Sequence, residues 1–421
     1  MPPTRRDYPL REQVAIVGVT ESDLGRTPGH TVFSLQQQAM VSALADAGLS
    51  PRAVDGLMTS RYPYAERQAV SLAEYLGIQP SYVDDTNTGG SGFIAALERA
   101  AAAIHCGLCE TVLISYGSTQ YSSRTRALGG RPAEFGYQFE VPYGLPLPQG
   151  GYALAAQRYA HLYGAAPADL AEVAVAARQW AQLNPKAIRR ADLTVDDVLA
   201  SSMISSPLHA LDCCLVTDGG GAVVVTSAER ARSLQANPIL VSGNGYAQSH
   251  ESVANAAELT DTAARESGRL AFQRAGIGPA EVDIAQIYDS FAITVLLSLE
   301  DLGFCANGGA ADFIADGRIL PGGGFALNTS GGGLSYCHPG MFGIFLLIEA
   351  VVHRAPAGFT GLTPYTVALV DLDEGIRVMG RLITERAESI DIGQRVDTVI
   401  EEPEETTAGT VLPQFVPARE K

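Results

Sequence analysis

The sequence predicts an α/β protein built from two similar halves with mixed sheets, an insertion between them and a small β module at the C-terminus. Three observations carry that reading. Ala47-Gly48-Leu49-Ser50-Pro51-Arg52-Ala53-Val54-Asp55 returns as Ala275-Gly276-Ile277-Gly278-Pro279-Ala280-Glu281-Val282-Asp283. Both copies follow an apolar helical pattern and lead into a strand-like run. Between them, residues 119–205 carry aromatic and glycine-rich loops and then helical runs, far longer than an ordinary connection. Beyond residue 354 the chain turns to short strand-like stretches divided by turn residues. Ala-Gly-x-x-Pro is a common helix stop, which is the competing account of the repeat. The shared spacing over nine positions and the matching flanks favour duplication.

In chain order, a strand candidate at 14–19 is echoed by one at 239–243. A glycine-rich turn at 86–92 opens a helix, Gly92-Phe93-Ile94 with Glu98, and its echo at 331–343 opens Gly343-Ile344-Phe345 with Glu349. Strands alternating with helices imply largely parallel sheets covered on both faces, and ligands bind at turns that open helices. The expected units are a first half at 12–118, an inserted loop domain at 119–205, strands completing the first half and then the second half at 206–354, and a C-terminal module at 365–418.

Bulk properties narrow the function. The 421 residues are 46% hydrophobic and 18% charged, enough for two or three domain-sized units and too few charges for long disordered tails. A net charge of −17 makes nucleic acid and anionic membrane poor partners. No apolar signal core or bilayer-length run is present, so a cytoplasmic location is expected. Cys106, Cys109, Cys213, Cys214, Cys305 and Cys337 form no disulfide framework, and a single CxxC leaves a metal site unexpected.

Several stretches together resemble the thiolase superfamily. They are residues 14–26, Gly89-Gly90-Ser91-Gly92, Asn184-Pro185 with Thr194-Val195-Asp196-Asp197-Val198, residues 203–208 and 214–226, Tyr288-Asp289-Ser290-Phe291-Ala292, and 328–343 with His338-Pro339. The likeness is to the sterol-carrier-protein-x, or lipid-transfer-protein, branch, and it covers residues 12–354. It implies stacked thiolase-like halves, a loop domain over the cleft, an acyl-CoA substrate and a homodimer. CoA enters as part of the substrate, with no bound cofactor.

The departures point to the chemistry. A thiolase places a nucleophilic cysteine at the N-terminus of the first-half helix, where the helix dipole favours thiolate. The matching residue is Gly89. Cys106 lies at the other end of that helix, and no cysteine follows Cys337. The pattern is similar to that of aldolases of steroid side-chain degradation, which cleave a β-hydroxyacyl-CoA to a ketone and a shorter acyl-CoA. That resemblance implies a tyrosine pair, Tyr288 and Tyr336.

Retro-aldol cleavage needs a base for the β-hydroxyl, donors for the enolate oxygen and an acid for the α-carbon. Tyrosine, with a pKa of about 10, needs a neighbouring cation or donor to act as a base, and His338 is the nearest in sequence. Asp289 either orients one of these groups or pairs in the core. Gly89, Gly90 and Ser91, with Gly332 and Gly333, are the candidate oxyanion and substrate loops. Lys186, Arg189 and Arg190 either meet CoA phosphates or form a solvated basic face. Tyr288 could equally be packing, His338 a helix cap, and Cys337 a packing residue or a nucleophile. Tyr137, Phe139, Tyr143 and Tyr152 suggest a bulky acyl group.

After a linker at 355–364, the strand-like stretches 366–372, 376–383, 392–399 and 412–417, with an acidic run at 401–405, resemble the OB-fold module of small acyl-CoA-associated partner proteins. The competing reading completes the second thiolase sheet with the first two. Two rival functions remain, a thiolase-type acyltransferase and a non-catalytic acyl-CoA-binding or scaffolding subunit.

Overall fold

The computed structural model describes residues 8–60, 67–124, 135–234 and 238–351, and beyond them the backbone of four strands. The chain divides into two units, Met1–Val351 and Val352–Lys421.

The first half runs β1 (Val14–Glu21), α1 (Val32–Asp46), β2 (Gly56–Thr59), α2 (Gln68–Leu76), β3 (Tyr82–Asp84), α3 (Gly92–His105) and β4 (Thr111–Ser118). The insertion supplies α4 (Phe135–Phe139), α5 (Gln149–Tyr163), α6 (Pro167–Leu183), α7 (Val195–Ala200) and the pair β5 (Met203–Ser205) and β6 (Leu208–His209). The chain then returns with β7 (Gly219–Ser227) and α8 (Ala228–Leu234). The second half follows as β8 (Ile239–Leu240), α9 (Ala264–Ala275), β9 (Ile284–Ala285), α10 (Ala292–Asp301), α11 (Ala310–Ile314), β10 (Ala326–Leu327), a π-helical turn at Gly332–Tyr336 and α12 (Gly343–Ala350).

The main sheet is mixed, in the order β3-β2-β4-β7-β1-β8. Its central strands are buried on both faces because successive side chains alternate sides. Ala15, Val17, Leu113 and Val224 face the core under α1. Ile16, Val112, Ile114 and Val225 face the core shared with α3 and α12. The two glycine-opened helices thus pack near each other, as the repeat implies.

The duplication is visible in close packing. A Cβ on Gly18 would strike Ala47 and the Ala43 carbonyl of α1, and one on Gly243 would strike Ala275 and the Ala271 carbonyl of α9. The offset that relates Ala47 to Ala275 also relates the 3-10 turns Pro51–Ala53 and Pro279–Glu281, which lead into β2 and β9. β2 pairs in parallel with β3, and β9 with β10. One difference from expectation concerns the counterpart of β1. β8 pairs antiparallel with β1 itself, Ala15 opposite Leu240, and so extends the edge of the first-half sheet.

The C-terminal unit holds β11 (Thr366–Asp371), β12 (Arg377–Leu382), β13 (Val396–Val399) and β14 (Gln414–Pro417) in one sheet, ordered β11-β12-β14-β13. β12 pairs with β11 on one edge and with β14 on the other. The linker at 355–364 and the acidic run at 401–405 lie outside the described residues.

Candidate active site

The turn that opens α3 forms one wall. Asn87 Oδ1 accepts the Gly89 N–H at 3.0 Å, and Gly89 takes a φ of +83°, which strains any residue with a side chain. The position where a thiolase needs a nucleophile thus holds a residue chosen for its backbone. Gly90 is bare for a different reason, since a Cβ there would lie 2.8 Å from the Tyr288 hydroxyl. The N–H groups of Gly90 and Ser91 donate to no described residue, and they head a 14-residue helix.

Tyr288 and His338 meet beside this turn. The tyrosine hydroxyl lies 2.8 Å from His338 Nε2. Tyr288 follows β9, where the Ile287 N–H donates to Asn328 Oδ1 at 2.7 Å, and the Tyr288 carbonyl accepts from Thr294 Oγ1 at 3.0 Å. The His338 N–H donates to Thr217 Oγ1, and its carbonyl accepts from Gln120 Nε2. The Phe342 ring stacks on the imidazole. His338 is only 8% exposed, and α12 begins at Gly343, so it does not cap that helix. Burial pushes the Tyr288 hydroxyl well above the ordinary tyrosine range, and the nearby Cys214, Tyr152 and Tyr116 add to the rise. The phenol is therefore neutral at neutral pH.

Gly332 and Gly333 serve a different purpose from the one expected. The Gly332 N–H donates to Ser330 Oγ at 3.2 Å, and the Gly333 and Leu334 N–H groups donate to Asp289 at 2.6 and 3.3 Å. These donors are already engaged, which corrects their assignment to an oxyanion loop. Asp289 is fully buried beneath the π-helical turn. Burial raises its pKa to about 7, against the lowering effect of the hydrogen bonds from Gly333, Leu334 and Asn328.

Tyr336 points elsewhere. Its hydroxyl donates to Glu21 Oε1 at 3.0 Å, and Lys186 Nζ bridges the same oxygen at 3.0 Å. The surrounding loop is clamped by the insertion. Arg178 Nε donates to Ser335 Oγ, and the Ile188 and Arg189 N–H groups donate to the Tyr336 and Ser335 carbonyls. The Tyr336 hydroxyl and Lys186 thus meet on Glu21, while the Phe342 ring packs against Tyr336, Tyr288 and His338 alike. Arg189 and Arg190 are exposed. Cys337 is fully buried, and burial with Glu349 and Asp289 nearby pushes its thiol well above the usual range, which removes the nucleophile reading.

Of the aromatic residues in the insertion, Tyr152 stacks on Phe291 at 4.3 Å, with Ser290 and Cys214 beside it. Tyr137, Phe139 and Tyr143 are exposed, Tyr143 at 90%, so they are corrected from pocket residues to surface ones. Sequence reasoning missed Gln120, Thr217, Asn328, and Tyr116, whose hydroxyl donates to the Pro339 carbonyl at 2.8 Å. Only the Asn328 that opens the glycine-rich stretch carried a signal.

The Thiolase C-terminal domain-like family matches residues 245–374, and the C-terminal OB-fold domain of ChsH2 matches residues 349–401. The chain is 36% identical over 353 residues to the steroid side-chain-cleaving aldolase of Thermomonospora curvata, an alignment covering 80% of this chain and 90% of that protein. The chain belongs to this aldolase family. A second relative of the aldolase is the 17-hydroxy-3-oxo-4-pregnene-20-carboxyl-CoA lyase of Mycobacterium tuberculosis, 37% identical over 350 residues, with 80% of this chain and 90% of that protein covered. Among solved structures, the Ltp2-ChsH2(DUF35) aldolase superposes on it with a TM-score of 0.73 at 34% identity, covering 80% of this chain and 89% of that one. The aldolase therefore has the thiolase-like α/β fold and carries an OB-fold match at its C-terminus.

Proposed function

We propose that this thiolase-fold carbon–carbon lyase cleaves a bulky, steroid-like β-hydroxyacyl-CoA to a ketone and a shorter acyl-CoA, with Tyr288 and His338 as its proton-moving pair. The observation that carries the reading is the 2.8 Å contact of Tyr288 with His338, set over a glycine turn that holds no nucleophile. In the first step the Tyr288 oxygen takes the β-hydroxyl proton as its own proton passes to His338 Nε2. The Cα–Cβ bond breaks, its electrons form the enolate, and the β-carbon becomes the ketone. The Gly90 and Ser91 N–H groups hold the enolate oxygen. The same pair then returns the proton to the α-carbon, so the cycle needs neither acyl-enzyme nor redox partner. Tyr152 and Phe291 supply an apolar wall for the acyl group, and Arg189 and Arg190 meet the CoA phosphates. Tyr336 anchors its loop.

Sequence similarity to a steroid-CoA lyase supports the substrate class. The exposed edge of β3, with Val83 outward, supports a homodimer. The OB-fold match and the solved relative support an OB-fold partner protein in the same pathway of assembly. Among the described residues no helix is long and apolar enough to cross a membrane, which accords with a cytoplasmic location. The test is turnover of a tertiary β-hydroxyacyl-CoA, read as ketone release. Release that persists in Cys337→Ala and collapses in Tyr288→Phe supports the proposal. Persistence in Tyr288→Phe overturns the role given to the pair, and no turnover with or without an OB-fold partner overturns the lyase reading in favour of a binding subunit.

A further inference from the structure

α6 carries a buried charge that is held by neutral groups. Arg178 is 6% exposed. Its Nε donates to Ser335 Oγ at 3.0 Å and its Nη1 to the Ala191 carbonyl at 2.9 Å. Nη2 donates to no described residue and is the nitrogen that reaches the surface. The two carboxylates that meet this stretch of chain are engaged elsewhere. Glu21 takes Lys186 and Tyr336, and Asp192 takes Gln182 Nε2. A second arginine stands where a counter-ion belongs. The Arg189 N–H donates to the Ser335 carbonyl at 3.0 Å, so both arginines converge on one residue. The Arg189 side chain is exposed, and burial together with this neighbouring charge lowers the pKa of Arg178. A buried guanidinium without an anion is costly, and a second cation beside it adds repulsion. The stretch is also fixed in place. Asn184 Nδ2 donates to the Ser330 carbonyl, Asn184 Oδ1 accepts the Lys186 N–H, and the Ile188 N–H donates to the Tyr336 carbonyl.

We propose that Arg178 and Arg189 form a binding site for a phosphate group, with Arg178 Nη2 as its inner donor and the Arg189 guanidinium as its outer one. The chemistry selects the ligand. Two positive charges on planar forks of N–H donors match a tetrahedral dianion better than a carboxylate, which neutralises only one of them. A nucleic-acid backbone is a poor occupant for a chain of net charge −17, so the phosphate belongs to a small molecule. Two sources share this chemistry, the phosphates of a CoA thioester and free phosphate. The first source rests on the acyl-CoA reading above, and the site itself does not. A bound phosphate ties α6 to the 184–191 stretch, and both of these hold the Ser335–Tyr336 turn.

The probe is inorganic phosphate, titrated into the full chain at constant ionic strength, with adenosine 3′,5′-bisphosphate as a second arm. Thermal unfolding reports binding, because a ligand held only by the folded state raises Tm. The expected result is a saturable rise with at least one of the two. In Arg189→Gln the same rise should need about tenfold more ligand or higher still. Arg178→Lys keeps the charge and loses the fork, and should weaken binding likewise. Arg189 is exposed, so its variant decides the matter even where Arg178→Lys does not fold. Arg232→Gln removes an equal charge from the exposed face of α8 and should leave the titration unchanged. A bisphosphate held about tenfold more tightly than phosphate, or better, assigns the site to CoA, and comparable affinities assign it to free phosphate. No saturable rise with either probe overturns the proposal. So does an Arg189→Gln titration that matches wild type, or one weakened no more than that of Arg232→Gln. None of these readouts depends on turnover, so failure of the site and failure of the lyase reading are told apart.

Discussion

A phenol buried against an imidazole is a poor phenolate, and this decides how Tyr288 works. Burial raises its pKa, so it acts as a neutral conduit between substrate and His338, not as a free base. Tyr288→Phe removes the conduit and keeps the ring. The expected loss is about 10²–10⁴-fold in kcat with little change in Tm, measured by ketone release and thermal unfolding. Asp289 gives a second prediction, this one on stability. Its folded pKa of about 7 lies above the unfolded value, so folding favours the protonated carboxyl. The contribution is fully present below about pH 4 and is lost as pH rises through about 7. Tm of the wild type should therefore carry a component that falls between about pH 4 and pH 7 and is flat above it. Asp289→Asn should flatten it, as scanning calorimetry across that range would show.

At the scale of elements, the two glycine-rich turns look alike in sequence and do different work. Both open a helix, and both were legible as ligand-facing turns. In the first turn the Gly90 and Ser91 N–H groups meet no described acceptor, whereas in the second those of Gly333 and Leu334 donate to Asp289. A carboxylate buried 44 residues upstream in sequence from Gly333 makes that difference, and no periodicity reveals it. His338 was legible from its glycine-rich loop, and Tyr288 only through the family resemblance. Their supports Gln120 and Thr217 were not, because they reach His338 only through hydrogen bonds from distant parts of the chain. The Tyr336 loop yields a prediction that separates anchoring from catalysis. Tyr336→Phe removes the hydroxyl that donates to the buried Glu21 oxygen. The expected cost is about 1–2 kcal/mol of stability by denaturant titration, with kcat changed by less than about threefold at saturating substrate. A loss comparable to that of Tyr288→Phe would instead make Tyr336 a catalytic group. Gly90→Ala should behave in the opposite way. Its Cβ meets the Tyr288 ring, so turnover falls sharply while global unfolding is little affected.

For the whole molecule, the duplicated plan was readable because helix stops and turns repeat with fixed spacing. The unequal burial of the covering helices α1 and α9 was not, because it depends on what packs around each. This inequality has a mechanical consequence. Gly18 and Gly243 occupy equivalent places, each pressed against a helix so closely that a Cβ would strike a backbone carbonyl. Relief requires the helix to move. α1 cannot retreat easily, since it is packed against β1, β4 and β7 through a fully buried face. Most of α9 is half-buried or exposed. The same chemical change should therefore cost more in the first half. Gly18→Ala is expected to destabilise by roughly 2–3 kcal/mol, in the range of overpacking a close-packed core, and Gly243→Ala by about 1 kcal/mol. Denaturant unfolding of the two variants beside wild type measures the difference. Equal costs would mean that α9 is held as rigidly as α1, and that the second half is closed over its sheet as firmly as the first.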